Sequence, residues 1–195
     1  MIKVIRGLYK GKRLKRLADP RVRPMPDKLK EALFHILDSE VRGAVVLDGF
    51  AGTGSLGIEA LSRGAARVVF IEELGPAART IIHNLERCQA RDRAAVLQRE
   101  FNRGVIQLGK ERALFDLILL DPPYKLLEER NPLKVIKKRE ILKPGGRILL
   151  RRHRKTKFDP KFFAVQRDLT LGDDTVLFLA HPKLNGDIPT KQGTN

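Results

Sequence analysis

The chain has 195 residues, with 39 Lys+Arg against 23 Asp+Glu and a formal charge of +16; this length suits one domain, and the charge exceeds what solubility needs and points to a polyanionic partner such as nucleic acid. Cys88 is the only cysteine, which excludes an internal disulfide and suits a reducing compartment, and the four histidines lack metal-ligand spacing, so no metal is expected. No apolar run approaches a membrane span, and the first residues are too poor in apolar content for a signal peptide, so a cytoplasmic protein with no membrane association is expected.

Residues 1–26 are basic and punctuated by glycine and proline. Ile2, Val4 and Leu8 suggest short strands, and Gly7 and Gly11 suggest turns. Lys10, Lys12, Arg13, Lys15 and Arg23 make this stretch a nucleic-acid-contacting arm, against the plain alternative of a solvated one. Pro26 and Asp27 suit a helix start, Leu29, Leu33, Ile36 and Leu37 share a helical face, and the helix is expected to run to Gly43.

Strand-like 44–47 leads into a glycine-rich loop at 48–57, and Ile58-Glu59-Ala60-Leu61 continues as a helix closed by Gly64. Residues 67–71 form a strand ending at Glu72, 76–90 a helix, 94–98 a strand and 102–110 a short helix. A strand at 115–120 stops at Asp121-Pro122-Pro123-Tyr124; 132–142 reads as a helix, Pro144-Gly145-Gly146 as a turn, and 147–150 as a strand. Residues 162–180 suggest a hairpin about Gly172-Asp173-Asp174, and 181–195 a loose tail. The alternation predicts an α/β domain over 27–180: a mainly parallel sheet with helices on both faces and an antiparallel C-terminal edge.

In the loop, glycines 52, 54 and 57 let the backbone approach a ligand, and Glu72 stands where a carboxylate meets two ribose hydroxyls. That pattern also fits a nicotinamide dinucleotide. Asp48 favours S-adenosylmethionine instead, because a carboxylate there repels a pyrophosphate and suits the ammonium of a methionine moiety; the plain alternative is a loop cap.

Asp121-Pro122-Pro123-Tyr124 ends a strand whose tip would open onto the same crevice. An exocyclic base amine is a poor nucleophile, because its lone pair is delocalised into the ring. Two acceptors, the Asp121 carboxylate and the Pro122 carbonyl, can bind its hydrogens, while Tyr124 offers a face to an extruded base. Read alone, the motif is also a plain strand-ending turn.

At these residues the chain resembles the bacterial RsmD-type family, which methylates guanine N2 in small-subunit (16S) rRNA. The resemblance runs from residue 2 to about 180 and includes Val4-Ile5-Arg6-Gly7, Gly11-Lys12-Arg13-Leu14, the loop from Leu47 to Gly57, Ile58 to Ala65, Phe70-Ile71-Glu72 and Asp121 to Tyr124. The run Ile58 to Ala65 and the amino-terminal blocks are the narrower part of the match. It implies a Rossmann-like class I S-adenosylmethionine-dependent methyltransferase acting as a monomer on an assembling small subunit. Asp48, Gly52, Gly54 and Glu72, with Phe50 of the same loop, would hold the cofactor, and Asp121, Pro122 and Tyr124 would handle the base.

Four positions depart from the family pattern. Glu100-Phe101 stands where an Asp usually reads the adenine amine, and both are kept as cofactor-binding. Met25-Pro26 replaces two threonines. Arg151-Arg152 stands in place of an acidic residue and is expected to add phosphate binding. Gly49 replaces a bulkier residue, leaving space at the strand tip. An adenine-N6 enzyme, a non-catalytic RNA-binding ribosome-assembly factor and a nicotinamide dehydrogenase are the alternatives.

Overall fold

Alternate residues of each parallel strand feed two different cores, and that split sets the layering. Val46, Val68, Phe70, Leu117 and Leu119 pack into one apolar cluster, while Leu47, Val69, Ile71, Ile118 and Leu120 pack into the other. The protein is described by a computed structural model over residues 2–19 and 25–182. Arg23 and residues 183–195 of the expected tail lie outside the described residues.

Two short antiparallel strands, β1 (Ile2–Lys3) and β2 (Arg13–Leu14), stand apart from the main sheet. The main sheet comprises β3 (Val45–Asp48), β4 (Arg67–Glu72), β5 (Ala94–Gln98), β6 (Phe115–Leu120), β7 (Leu142–His153), β8 (Ala164–Leu171) and β9 (Asp174–Ala180), in the order β5-β4-β3-β6-β7-β9-β8. The first five run parallel, and β9 and β8 close the edge antiparallel. Helices α1 (Asp27–Leu37), α2 (Ser55–Ser62) and α3 (Gly75–Cys88) feed the first cluster. Helices α4 (Phe101–Lys110), α5 (Tyr124–Glu129) and α6 (Pro132–Arg139) cover the opposite face. This is the Rossmann-like α/β architecture expected from the sequence, a mainly parallel sheet with helices on both faces and an antiparallel C-terminal edge. The chain order reverses between β3 and β6, so a crevice opens at their carboxyl ends.

Several expectations are corrected. The first helix stops at Leu37, where Asp38 takes φ 33°, and Asp38–Val41 continue as a 3-10 turn rather than as helix to Gly43. The glycine loop is shorter than expected, because α2 already starts at Ser55. Pro144-Gly145-Gly146 is no strand-initiating turn but an irregularity inside the twelve-residue β7, where Phe115 pairs with Leu142 and Leu117 with Arg147. The helix expected over 132–142 ends at Arg139, and α5 lay unseen before it. Leu8 belongs to a turn and is 76% exposed.

The basic arm is docked rather than free. Ile2, Val4, Tyr9 and Leu14 are buried in the first cluster. Buried Glu59 on α2 accepts the Ile5 N–H (2.8 Å), the Arg6 N–H (3.0 Å) and Arg63 Nε (2.8 Å). Ser62 Oγ accepts the Tyr9 N–H and donates to the Arg6 carbonyl. Lys30 of α1 is fully buried and donates to the Lys3 carbonyl and to Ser55 Oγ, both at 3.0 Å. Burial pulls the Lys30 ammonium down from its ordinary range, against the attraction of Glu59 and Asp27. Asn84 of α3 accepts the Lys15 N–H and donates to the carbonyls of Lys15 and Thr53.

Candidate active site

Strand register brings the two sequence-predicted carboxylates to one edge. Asp48 is the last residue of β3 and pairs with Leu119 of β6, two residues before Asp121. Asp48 is 1% exposed. Its Oδ2 accepts the Gly57 N–H at 2.9 Å, fixing the start of α2, while Oδ1 has no hydrogen-bond partner among the described residues. Burial pushes the Asp48 carboxyl up to about 7; the Gly57 N–H opposes the rise, and Asp121 and Glu72 add to it. A buried carboxylate oxygen without a donor is costly unless a cationic donor meets it, so the site fits an ammonium-bearing ligand.

Glu72, at the tip of β4, grips the loop. Its Oε2 accepts the Gly52 N–H at 2.7 Å and its Oε1 the Leu74 N–H at 2.8 Å. Burial raises its pKa, against the N–H donors of Leu74, Gly52 and Glu73. Gly54, with φ 81°, caps α2 in the left-handed region, which only glycine enters without strain. A Cβ on Gly57 would stand 2.3 Å from the Phe70 ring, so this glycine serves close helix–strand packing.

Phe50 and Phe101 stack with ring centroids 4.5 Å apart and 21° between planes. The space expected beside Gly49 is filled: a Cβ there would lie 2.6 Å from Leu120 Cδ2 and 2.7 Å from Phe101 Cε2. Glu100 caps α4, its Oε2 accepting the Arg103 N–H at 3.0 Å. One of its oxygens is therefore committed to the helix end.

Asp121 follows β6, and its Oδ1 and Oδ2 accept from Arg151 Nη1 at 3.1 and 3.0 Å. Burial pushes its carboxyl up to about 6; Arg151 opposes the rise and Asp174 adds to it. Pro122 is buried, and Tyr124 opens α5, although its side chain lies outside what is described. Beside Arg151, a small apolar cavity is lined by Met25, Leu33, Leu56, Leu149 and Val176.

The expected phosphate-binding residues are placed unevenly. Arg151 is 7% exposed and engages Asp121 and Asp174, not the surface. Arg152 Nη1 donates to the carbonyls of His153, Arg154 and Thr156, bracing the loop after β7. Arg151 is therefore corrected from phosphate contact to an inward ion pair, while Arg152 stays half-buried at the end of β7. Lys10, Lys12, Arg13 and Lys15 are all exposed. Lys12 Nζ donates to the Arg87 carbonyl near the end of α3. Sequence reasoning missed the contact between Asp121 and Arg151, which stand 30 positions apart; the only trace is the β6–β7 register, in which Leu120 pairs with Leu150. Among the described residues no cluster of His, Cys, Asp and Glu could hold a metal, and no helix is long and apolar enough to cross a membrane.

Comparison with known proteins agrees with this fold. The family model described as conserved hypothetical protein 95 matches residues 2–180. Ribosomal RNA small subunit methyltransferase D of Haemophilus influenzae is 30% identical over 172 residues, 88% of this chain and 89% of that protein. The solved Escherichia coli protein yhhF superimposes with a TM-score of 0.79 at 28% identity, over 92% of this chain and 98% of its own. A Thermus thermophilus 16S rRNA N2 G1207 methyltransferase (RsmC), solved with AdoMet and guanosine, gives a TM-score of 0.65 at 27% identity, over 85% of this chain and 44% of its own.

Proposed function

Because the chain belongs to the RsmD family, described as conserved hypothetical protein 95, we propose that it moves a methyl group from S-adenosylmethionine to the exocyclic N2 of a guanine in 16S rRNA, on an assembling small subunit. One observation carries the reading: a buried carboxylate with an unpartnered oxygen, Asp48, ends the strand beside the one that delivers Asp121. Relatives named ribosomal RNA small subunit methyltransferase D support rRNA as the substrate, and the Thermus thermophilus enzyme solved with guanosine supports guanine N2.

Bound S-adenosylmethionine supplies an electrophilic methyl on a sulfonium. Asp48 Oδ1 would accept from the ammonium of its methionine part, and Glu72, already fixed by the Gly52 and Leu74 N–H groups, would accept from the ribose. The Phe50–Phe101 stack offers an apolar wall to the adenine, and Glu100 keeps one oxygen for its amine. Asp121 and the Pro122 carbonyl accept the two amine hydrogens and hold the nitrogen lone pair towards the methyl. Tyr124 would stack on the extruded base. Asp121 would take up the proton released as the N–C bond forms and the methyl–sulfur bond breaks, which leaves the donor as its neutral thioether, S-adenosylhomocysteine. Exposed Lys10, Lys12, Arg13 and Lys15, together with Arg23, would meet phosphates.

The test is methyl transfer to small subunits from cells lacking this protein, read by nucleoside mass spectrometry. N2-methylguanosine is expected, and Asp121→Ala should slow turnover by about 100-fold or more while the methyl donor still binds. N6-methyladenosine instead would move the target to adenine, and no transfer with intact RNA binding would make the protein a non-catalytic assembly factor.

A further inference from the structure

The carboxylate that meets the target amine is itself gripped from behind. Arg151 Nη1 bridges both oxygens of Asp121, and Arg151 Nε lies 3.0 Å from Asp174 Oδ1. The side chains of Arg151, Asp121 and Asp174 are 8%, 14% and 13% exposed, so the three groups meet almost out of solvent. Three strands deliver them: β6 ends at Asp121, β7 carries Arg151, and β9 begins with Asp174. A carboxylate has about four lone-pair sites, and one bridging nitrogen takes at most one on each oxygen, so each oxygen keeps one for a substrate N–H.

We propose that Arg151, anchored by Asp174, is a positioning residue for methyl transfer, holding Asp121 ionised and oriented to accept the hydrogens of the target amine. This rests on the methyl-transfer reading above. Protonated, Asp121 would offer one oxygen as a donor and lose an acceptor that the amine needs. The charged groups acting on it are Arg151 on β7, Asp174 on β9 and Asp48 at the end of β3. Arg151 alone among them favours the ionised form directly, and it opposes burial and the neighbouring Asp174. An arginine at this place thus acts on the base-handling carboxylate, not on phosphates.

The experiment is single-turnover methyl transfer at saturating methyl donor from pH 5 to pH 9, for the unmodified protein, Arg151→Met and Arg151→Lys. The acidic limb should move up by about one pH unit or more in Arg151→Met, with the rate largely recovered at the alkaline end, and should stay near its original place in Arg151→Lys. A rate lowered equally at every pH, with the limb unmoved, would overturn the proposal and leave Arg151 a packing residue. Arg151→Gln, which keeps a donor without the charge, gives the same reading if the Met variant does not fold. Carboxyl 13C titration of Asp121 in the ligand-free proteins needs no substrate: a raised midpoint without Arg151 supports the proposal, and an unchanged one overturns it. Absence of transfer by the unmodified protein at any pH would instead defeat the methyl-transfer reading, while the carboxyl titration would still decide the role of Arg151.

Discussion

As the proposed partner of the donor's ammonium, Asp48 would trade stability for affinity. Its folded pKa, about 7, stands above the ordinary carboxylate value, so its relative stabilisation is full below about pH 4 and is lost as pH rises through 7. At pH 8 the buried charge is a net burden on the ligand-free protein. Asp48→Asn should therefore raise the ligand-free melting temperature at pH 8, by about 2–4 °C for each kcal/mol recovered, while abolishing methyl-donor binding by calorimetry. In the unmodified protein, affinity for the donor should weaken as pH falls from 8 to 6, because protonated Asp48 cannot pair with an ammonium. Gly49 shows the limit of reading one residue from sequence. A missing side chain is visible there, but Phe101 and Leu120, which occupy its place, come from other elements. Gly49→Ala should cost about 1–3 kcal/mol in denaturant unfolding, through overlap with those two side chains.

At the scale of the element, α2 departs from the usual half-exposed helix. All eight of its residues are buried, because the docked arm covers the face that would otherwise meet water. The run from Ile58 to Ala65 marked the family in the sequence; physically, Glu59 and Ser62 within it are the arm's receptor. Glu59→Ala would strand the N–H groups of Ile5 and Arg6, Arg63 Nε and the buried Lys30, and should destabilise by about 3–5 kcal/mol in urea. Glu59→Gln, which keeps one acceptor, should lose less. Strands β3 to β6 were legible because each is a short apolar run between turn signals. The six-residue α5 was not, since so short a helix carries no periodicity, and β7 hid its length behind Pro144-Gly145-Gly146, which reads as a turn but is bridged by pairing on either side.

For the whole molecule, a mainly parallel sheet with an antiparallel C-terminal edge was readable from the alternation of elements, and with it the shared edge of Asp48 and Asp121. What joins Asp121 to Arg151 was not, because it depends on a register that a bulge in β7 shifts. The positive charge is likewise held by the fold: Lys12 rests near the end of α3, donating to the Arg87 carbonyl. Replacing Lys10, Lys12, Arg13 and Lys15 together by alanine should weaken RNA binding and flatten its dependence on log salt by up to about 3, in filter binding. The rate at saturating RNA should hold. Asn84 Nδ2 reaches both the Lys15 and Thr53 carbonyls, and Lys30 Nζ reaches both the Lys3 carbonyl and Ser55 Oγ. These two nitrogens tie the opening stretch of the polypeptide to the bend at Thr53 and Ser55, which is proposed to cradle the methyl donor. A shortened protein starting at residue 16 would accordingly forfeit donor affinity along with its grip on RNA, so the amino terminus cannot be trimmed as though it were a detachable handle.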